Sequence, residues 1–317
     1  MTVSRTLRNE PYVQAKVRQR VWLAAKALGY QPDPALSKMM QHIRGRKMPR
    51  SVGTLIALST VPAHLEPQSM RRVRESASLR AAELGYNLEL VRLDSIDQPN
   101  PALERSWLAR GVDGVLLLQM FRPSDVASLL NWQKFPVVAA TASILSPNFA
   151  TVSVNYYHNA RKLCAALTGR GFRRIGSVCP RTFGIRSNDA FIVAAAWEAL
   201  ACDELPVKAF VFDGREFDQR KLRAWLRREK PDAIIAHDEP MATLLRQQPG
   251  LNPSSLPPIF CTSIDPQTSM HSGIDERLEI LGYKGVDVLA GMIYRHEKHQ
   301  GNSQSKVLVE GQWFDPP

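Results

Sequence analysis

The sequence predicts an α/β protein of two doubly wound parallel-sheet lobes preceded by a small all-α basic head, and three observations carry that prediction. Apolar runs of strand length alternate with helical segments along most of the chain, the pattern of a parallel sheet covered on both faces. The alternation restarts near Arg173, so a second series follows the first. Of the net charge of +11, residues 1–50 hold +9, from eleven Lys/Arg against Glu10 and Asp33, which leaves +2 for the other 267 residues. With 317 residues, 44% of them hydrophobic, the chain has room for two medium cores and an appendage.

In the head, residues 13–28 (VQAKVRQRVWLAAKAL) place Val17, Val21, Ala24, Ala25 and Leu28 at helical spacing, with Lys16, Arg18, Arg20 and Lys26 largely off that stripe. Gly29 suits the position past its C-terminus, and Pro32 and Pro34 stop it from resuming. Ahead of it, TVSRTLRN (2–9) suits a short helix, with Thr2 as N-cap, Val3 and Leu7 one turn apart, and Ser4, Arg5 and Arg8 on the polar face. A positive field confined to one end fits a surface that neutralises phosphates, since each neutralised phosphate releases a counterion.

The strings TVSRTLRN and KVRQRVWLAAKALGYQPD resemble the heads of the lactose- and purine-repressor family of bacterial transcriptional regulators. The resemblance implies lobes of periplasmic-binding-protein type and a partial helix-turn-helix over residues 1–32 whose TVSR helix lies in the major groove. Arg5 would then face base edges, where a guanidinium can bond guanine O6 and N7 together, Thr2, Ser4 and Asn9 would position phosphates or cap, and Arg8 on the same polar face is a further DNA-binding candidate. The family places about seventeen residues, the first helix and turn, before TVSR. On that comparison Met1 is expected to be an internal methionine read as a start, or the gene truncated, and the head as written lacks a partner for Val3 and Leu7. Residues 33–50 (a helical turn or two from Pro34, then a basic linker) match the family's hinge helix. Met39 stands where the family has a leucine wedge for the minor groove.

The lobes are expected at about 51–154 and 155–317, with chain crossovers. VGTLIALS (52–59) reads as a buried strand, QSMRRVRESASLRAAELG as a helix and YNLELVRL as a strand; the helix PALERSWLARG, the strand DGVLLLQ, the helix PSDVASLLNW and the strand FPVVAAT follow. The second series is RRIGSVCP, a helix near residues 190–200, VKAFVFD, the helix REFDQRKLRAWLRRE, DAIIAHD, the helix EPMATLLRQQ and PPIFCTS. The tail gives a last helix with Leu281, Val286, Leu289, Ala290 and Ile293 on an apolar face, then a strand and a coil. The junction TVSVNYYHNARKLCAALTGRGFRRIGSV resembles a family signature in which Asn155 stands where Asp is frequent.

Ligands of open α/β sheets bind beyond the C-terminal strand ends, and in two-lobed proteins between the lobes. Ser59, Thr60 and Thr141 follow strands, Arg186 falls in the loop after RRIGSVCP, His237 and Asp238 end DAIIAHD, and Asp265 follows FCTSI. By resemblance His237 occupies the place of an effector-binding Asn and Asp265 that of an Asp taking sugar or base hydroxyls, while Arg186 is one residue out of register with the family's arginine. The resemblance also implies that the segment ahead of the last helix lines the cleft, which makes Asp275 and Glu276 further candidates.

These features argue against an enzyme: the chain has no P-loop, GxGxxG, GxSxG or HExxH motif, and its seven histidines are scattered. Cys164, Cys179, Cys202 and Cys261 lie too far apart to suggest zinc or a disulfide framework, so no cofactor or metal is expected. Without a signal peptide or membrane span the expected location is the cytoplasm. The reading is a DNA-binding regulator, by resemblance a homodimeric repressor, whose partners are operator DNA and a sugar-like effector. The alternatives are a degenerate regulator without DNA binding and a two-lobed sugar-binding protein.

Overall fold

Among the residues after the head, the central strands of both sheets come from the apolar runs, because a strand covered on both faces needs apolar side chains on both. The structure is a computed structural model that describes residues 53–120, 122–214, 217–248, 256–299 and 305–317, together with 17, 19–21, 23 and 24 of the head. Those six head residues are helical, as the periodicity expects, with Val21 half-buried and Val17, Leu23 and Ala24 exposed. Residues 1–52 and 53–317 form separate compact units. Thr2, Ser4, Arg5, Arg8, Asn9 and Met39, with the hinge segment 33–50, lie outside the described residues.

In chain order the second unit runs β1 (Gly53–Ser59), α1 (Gln68–Glu83), β2 (Tyr86–Arg92), α2 (Pro101–Ala109), β3 (Val112–Leu117), β4 (Ser124–Asp125), β5 (Val137–Ala139), β6 (Ile144–Ser146) and β7 (Ala150–Val154). It continues through α3 (Tyr156–Gly169), β8 (Ile175–Pro180), α4 (Arg181–Ser187), α5 (Ala190–Ala201), β9 (Phe210–Phe212), α6 (Gln219–Glu229), β10 (Ala233–Ala236) and α7 (Glu239–Arg246). The closing elements are β11 (Ile259–Cys261), β12 (Gly273–Asp275), α8 (Leu278–Tyr294), β13 (Lys306–Val309) and β14 (Gln312–Phe314).

Two six-stranded sheets result, ordered β13-β7-β5-β3-β1-β2 and β14-β12-β11-β10-β8-β9. Every pairing in the first is parallel. The second is parallel except for β14, which lies antiparallel on β12. The two-residue side-chain period sorts each central strand between two cores. In β1, Leu55 and Ala57 join the core under α1 and α8, while Ile56 and Leu58 join the one around Trp107, Trp132 and Phe135. In β10, Ala233 and Ile235 face the cluster of α3 and α5, and Ile234 and Ala236 that of α6 and α7.

The chain passes between the lobes three times, from β7 to α3, from β12 to α8 and from β13 to β14. The last two passages return α8 and β13 to the first lobe, so that lobe is not contiguous in sequence. Gly282 lets α8 seat against α1, since a Cβ there would fall on the Val73 carbonyl oxygen and the Ser76 hydroxyl. The first and third passages are tied together. The Asn155 N–H donates to the Val309 carbonyl at 2.8 Å, and the Gly311 N–H to the buried Asn159 Oδ1 at 2.8 Å.

Three expectations are corrected. Residues 123–132 are not a helix: the Asp125 carboxylate accepts the Ala127 N–H, and the Val126 N–H donates to the Ser146 carbonyl beside a short β4–β6 pairing. Local side-chain acceptors here compete with the helical ladder. Arg186 lies in the short helix α4, not in a loop. The tail forms two strands that join different sheets, where one strand and a coil are expected.

Candidate functional site: the cleft between the lobes

The strand ends of both sheets open on a cleft of ≈ 650 Å³ between the lobes. Its first-lobe wall includes Met70 and Val73 of α1, the 118–120 segment after β3 and the 140–142 segment after β5; the second lobe contributes Phe183 and Arg186 of α4, His237 and Asp238 after β10, and Glu276. That volume lies in the range of small-molecule sites.

Four of the predicted residues line the cleft: Thr141, Arg186, His237 and Asp238. Thr141 is buried, its hydroxyl 2.9 Å from that of Ser143, which in turn accepts the Met120 N–H at 2.8 Å. His237 Nε2 stands 2.9 Å from Asp238 Oδ2, and its ring centroid is 5.2 Å from that of Phe183. Asp238 also caps α7, accepting the Met241 N–H at 2.9 Å. Burial works to raise the Asp238 carboxyl, but the hydrogen bond and charge of His237, with the Met241 N–H and Arg186, hold it below the usual carboxylate range. The Arg186 guanidinium lies 5.8 Å from the centre of the Phe183 ring.

The other four are placed elsewhere. Ser59 is buried behind the wall, its hydroxyl donating to the Gln119 carbonyl and accepting the Val61 N–H, so it positions cleft residues without facing the cleft. Thr60 donates to the Met120 sulfur at 3.7 Å and supports the same wall. Asn155 is the N-cap of α3, its side chain accepting the His158 N–H. Asp265 bridges the lobes: it accepts from Gln68 Nε2 of α1 at 2.7 Å and lies 3.9 Å from the Arg72 guanidinium. For these residues a cap, a strand-end turn or an interlobe contact claims the polar group.

Glu276, a lesser candidate in the sequence, is prominent in the structure. It is 6% exposed, and burial pushes its carboxyl up to about 7, against the lowering effects of a hydrogen bond from Ser263 and of Arg186; nearby Asp275 adds to the rise. Asp275 caps the turn into α8 by accepting the Arg277 N–H. Sequence reasoning missed Tyr156 and Phe183, whose rings meet edge to face at 6.0 Å. The only signal was their position just past β7 and β8.

Of the described residues that line the cleft, three hold a buried polar atom with no hydrogen-bond partner: Arg186 Nε, His237 Nδ1 and Glu276 Oε1. An unpartnered buried group costs about 1–3 kcal/mol, and these atoms, closed to water, can bond a molecule in the cleft once their side chains turn toward it. The walls around them are mostly apolar, with Met70, Leu118, Met120, Phe183, Met241 and Leu281 among them, and so suit the less polar faces of that molecule. Among the described residues no cluster of His, Cys, Asp or Glu could hold a metal ion, and no helix is long and apolar enough to cross a membrane.

Residues 1–33 match the family described as "Bacterial regulatory proteins, lacI family". A curated HTH-type transcriptional regulator of Mycolicibacterium smegmatis is 27% identical over 184 residues, 57% of this chain and 48% of the relative, so the match spans about half the relative's length. Among solved structures, the transcriptional regulator CelR in complex with cellobiose aligns at TM-score 0.62 with 18% identity, over 99% of this chain and 94% of that one. The Lac repressor bound to ONPG in the repressed state aligns at 0.60 with 16% identity over 99% and 94%, and the transcription regulator CcpA of Lactococcus lactis at 0.63 with 16% identity over 83% and 98%. These likenesses establish the two-lobed fold, and with the head match they bear out the resemblance read from the sequence.

Proposed function

We propose that this chain, lacI-like in its head and regulator-like in its lobes, is a sequence-specific DNA-binding transcriptional regulator controlled by a small polar molecule of the sugar class. The observation that carries the effector half is that Arg186, His237 and Glu276, which line one largely apolar cleft, each hold a buried polar atom without a protein partner. A polyhydroxylated ligand offers donors and acceptors at close spacing and less polar ring faces for Phe183 and the methionines. The DNA half rests on the family match at residues 1–33 and the +9 charge of residues 1–50. In this reading Arg5 reads base edges, Thr2, Ser4, Arg8 and Asn9 position the backbone, and Met39 wedges the minor groove. A homodimer presents two heads to a pseudo-palindromic operator. Ligand in the cleft changes the angle between the lobes and so biases ordering of the hinge segment.

The test uses the full chain. A panel of mono- and disaccharides is screened by thermal shift, and any ligand found is added to a fluorescence-anisotropy titration of DNA selected by the protein from a random pool. The expected result is sequence-preferring, salt-dependent binding whose affinity changes with the ligand. A ligand that binds tightly yet leaves DNA affinity unchanged sinks the coupling. Failure to enrich any sequence from the pool sinks the DNA-binding half, and the degenerate-regulator alternative then takes its place.

A further inference from the structure

The solvent face of α6 is cationic along its whole length. Its exposed residues are Gln219, Arg220, Lys221, Ala224, Arg227 and Arg228, while Leu222 and Trp225 pack into the second-lobe core. The helix holds five cations against Glu229, +4 in eleven residues, whereas residues 51–317 together carry only +2. The face continues past the helix end. Exposed Lys230 follows α6, and exposed Arg173 is held beside it, because the Asp232 carboxylate accepts the Arg173 N–H at 2.7 Å and Arg174 Nε donates to the Lys230 carbonyl at 3.3 Å. Of these six exposed cations only Arg228 has a carboxylate within 4 Å among the described residues, that of Glu229 at 2.7 Å. The Asp218 carboxylate serves as N-cap and accepts the Arg220 and Lys221 N–H groups. Arg220 and Lys221 thus stand in the first turn of α6, where the helix dipole disfavours cations. A charge pattern set against its own helix is expected where a surface serves a function.

We infer that this face is a second nucleic-acid contact, made by the second lobe and not by the head, which holds a phosphodiester backbone without reading bases. Three observations select that partner. Arg220 and Arg227 are seven residues apart, about 10 Å along the helix axis, a length over which one strand of duplex DNA sets about three phosphates. Four of the six cations are arginines, whose planar fork bonds two phosphate oxygens together. An acidic protein is a poorer match, since a protein interface needs aromatic or aliphatic anchors at its centre and the exposed side of α6 offers nothing apolar beyond Ala224. The contact leaves the cleft free. None of these residues lines it, and Arg173 and Lys230 precede β8 and β10, at the strand ends opposite those that open on the cleft.

The test uses the full chain and two labelled probes, a short duplex DNA of arbitrary sequence and a single-stranded RNA of equal charge, titrated by fluorescence anisotropy over about 50–200 mM salt. Two backgrounds are compared, the chain as it stands and the chain with Arg5→Gln and Arg8→Gln, so that binding by the head is read separately. In both, Arg220→Gln, Lys221→Gln and Arg227→Gln combined are expected to weaken binding and to flatten the slope of log K against log salt by about 2–3, as counterion release at the lost phosphate contacts requires. The probe that loses affinity identifies the source, DNA or RNA. Arg220→Lys with Arg227→Lys keeps the charge and is expected to keep the slope, which a merely structural role would not predict. Should the triple variant fail to fold, Ala224→Glu sets a carboxylate in the middle of the face and is expected to weaken binding in the same way. Slopes and affinities unchanged by folded α6 variants overturn the inference. So does polyglutamate of equal charge that competes as well as unlabelled duplex in the background with the altered head, which would assign the face to an acidic polypeptide. Either result leaves the proposed function standing, because the head is read by Arg5 and Arg8.

Discussion

Replacing Glu276 with Gln tests the electrostatics of the cleft directly. The folded protein holds the Glu276 proton up to a pH of about 7, against an ordinary value of 4.5, because burial penalises the anion. Its folded pKa is raised, so below about pH 4.5 both folded and unfolded chains are protonated and no penalty applies. Between 4.5 and 7 the unfolded chain ionises while the folded chain stays neutral, and stability falls as pH rises, by up to about 1.4 kcal/mol per pH unit from this group. Above 7 the full cost of roughly 3 kcal/mol is present. Glu276→Gln keeps the shape and an acceptor for the Ser263 hydroxyl but cannot ionise. The variant should therefore match the wild type near pH 4.5 and gain on it through neutrality, ending about 3 kcal/mol more stable at pH 8, or some 6–10 °C in Tm for a unit of this size. Urea unfolding of both proteins at half-unit steps from pH 4.5 to 8.5, without ligand, gives the difference curve and cancels all other titrations. A constant difference across that range, or a variant less stable at pH 8, refutes the argument.

Gly282→Ala should destabilise the first lobe by about 1–3 kcal/mol, read as a lower urea midpoint, since the new methyl group meets the Val73 carbonyl across the α1–α8 contact. An unchanged midpoint would mean that the two helices can separate at little cost. Gln68→Ala removes the 2.7 Å interlobe hydrogen bond to Asp265 and should shift the unliganded lobes toward an open arrangement by up to about 1 kcal/mol, seen as a larger radius of gyration in small-angle scattering. A radius equal to that of the wild type would show that the bond does not hold the lobes together. Arg5→Ala should lower DNA affinity by about 1–3 kcal/mol and relax preference at one base pair; an equal loss on every sequence would assign Arg5 to phosphate instead.

Much of this architecture is set by local pattern. Runs such as LIAL (55–58) and AIIA (233–236) are apolar at every position, as strands covered on both faces are, and the second series beginning near Arg173 called for a second lobe. The basic head was equally plain, because charge needs no fold to be counted. What the chain does between 123 and 132 was not legible: Val126, Leu129 and Leu130 are buried as a helical face would bury them, yet the Asp125 side chain and the Ser146 carbonyl claim the backbone donors. Nor could sequence order show that α8 and β13 return to the first lobe, since that depends on which sheet edge each apolar segment can cover.

For the cleft, the sequence determined by itself that polar residues gather at strand ends, and it singled out Thr141, Arg186, His237 and Asp238 on that ground. Only the tertiary structure decided that Ser59, Asn155 and Asp265 spend their polar groups on a wall, a cap and an interlobe bridge. It also decided that Glu276, in the sequence only a further candidate beside Asp275, is enclosed where the chain crosses between the lobes. The physical reason is that side-chain period and residue type fix which face of an element is apolar, whereas burial and hydrogen-bond partners at a strand end depend on segments far away in sequence. Ser263 and Arg186 act on Glu276 only once the second sheet has set β8, β11 and β12, which are far apart in sequence, in one layer.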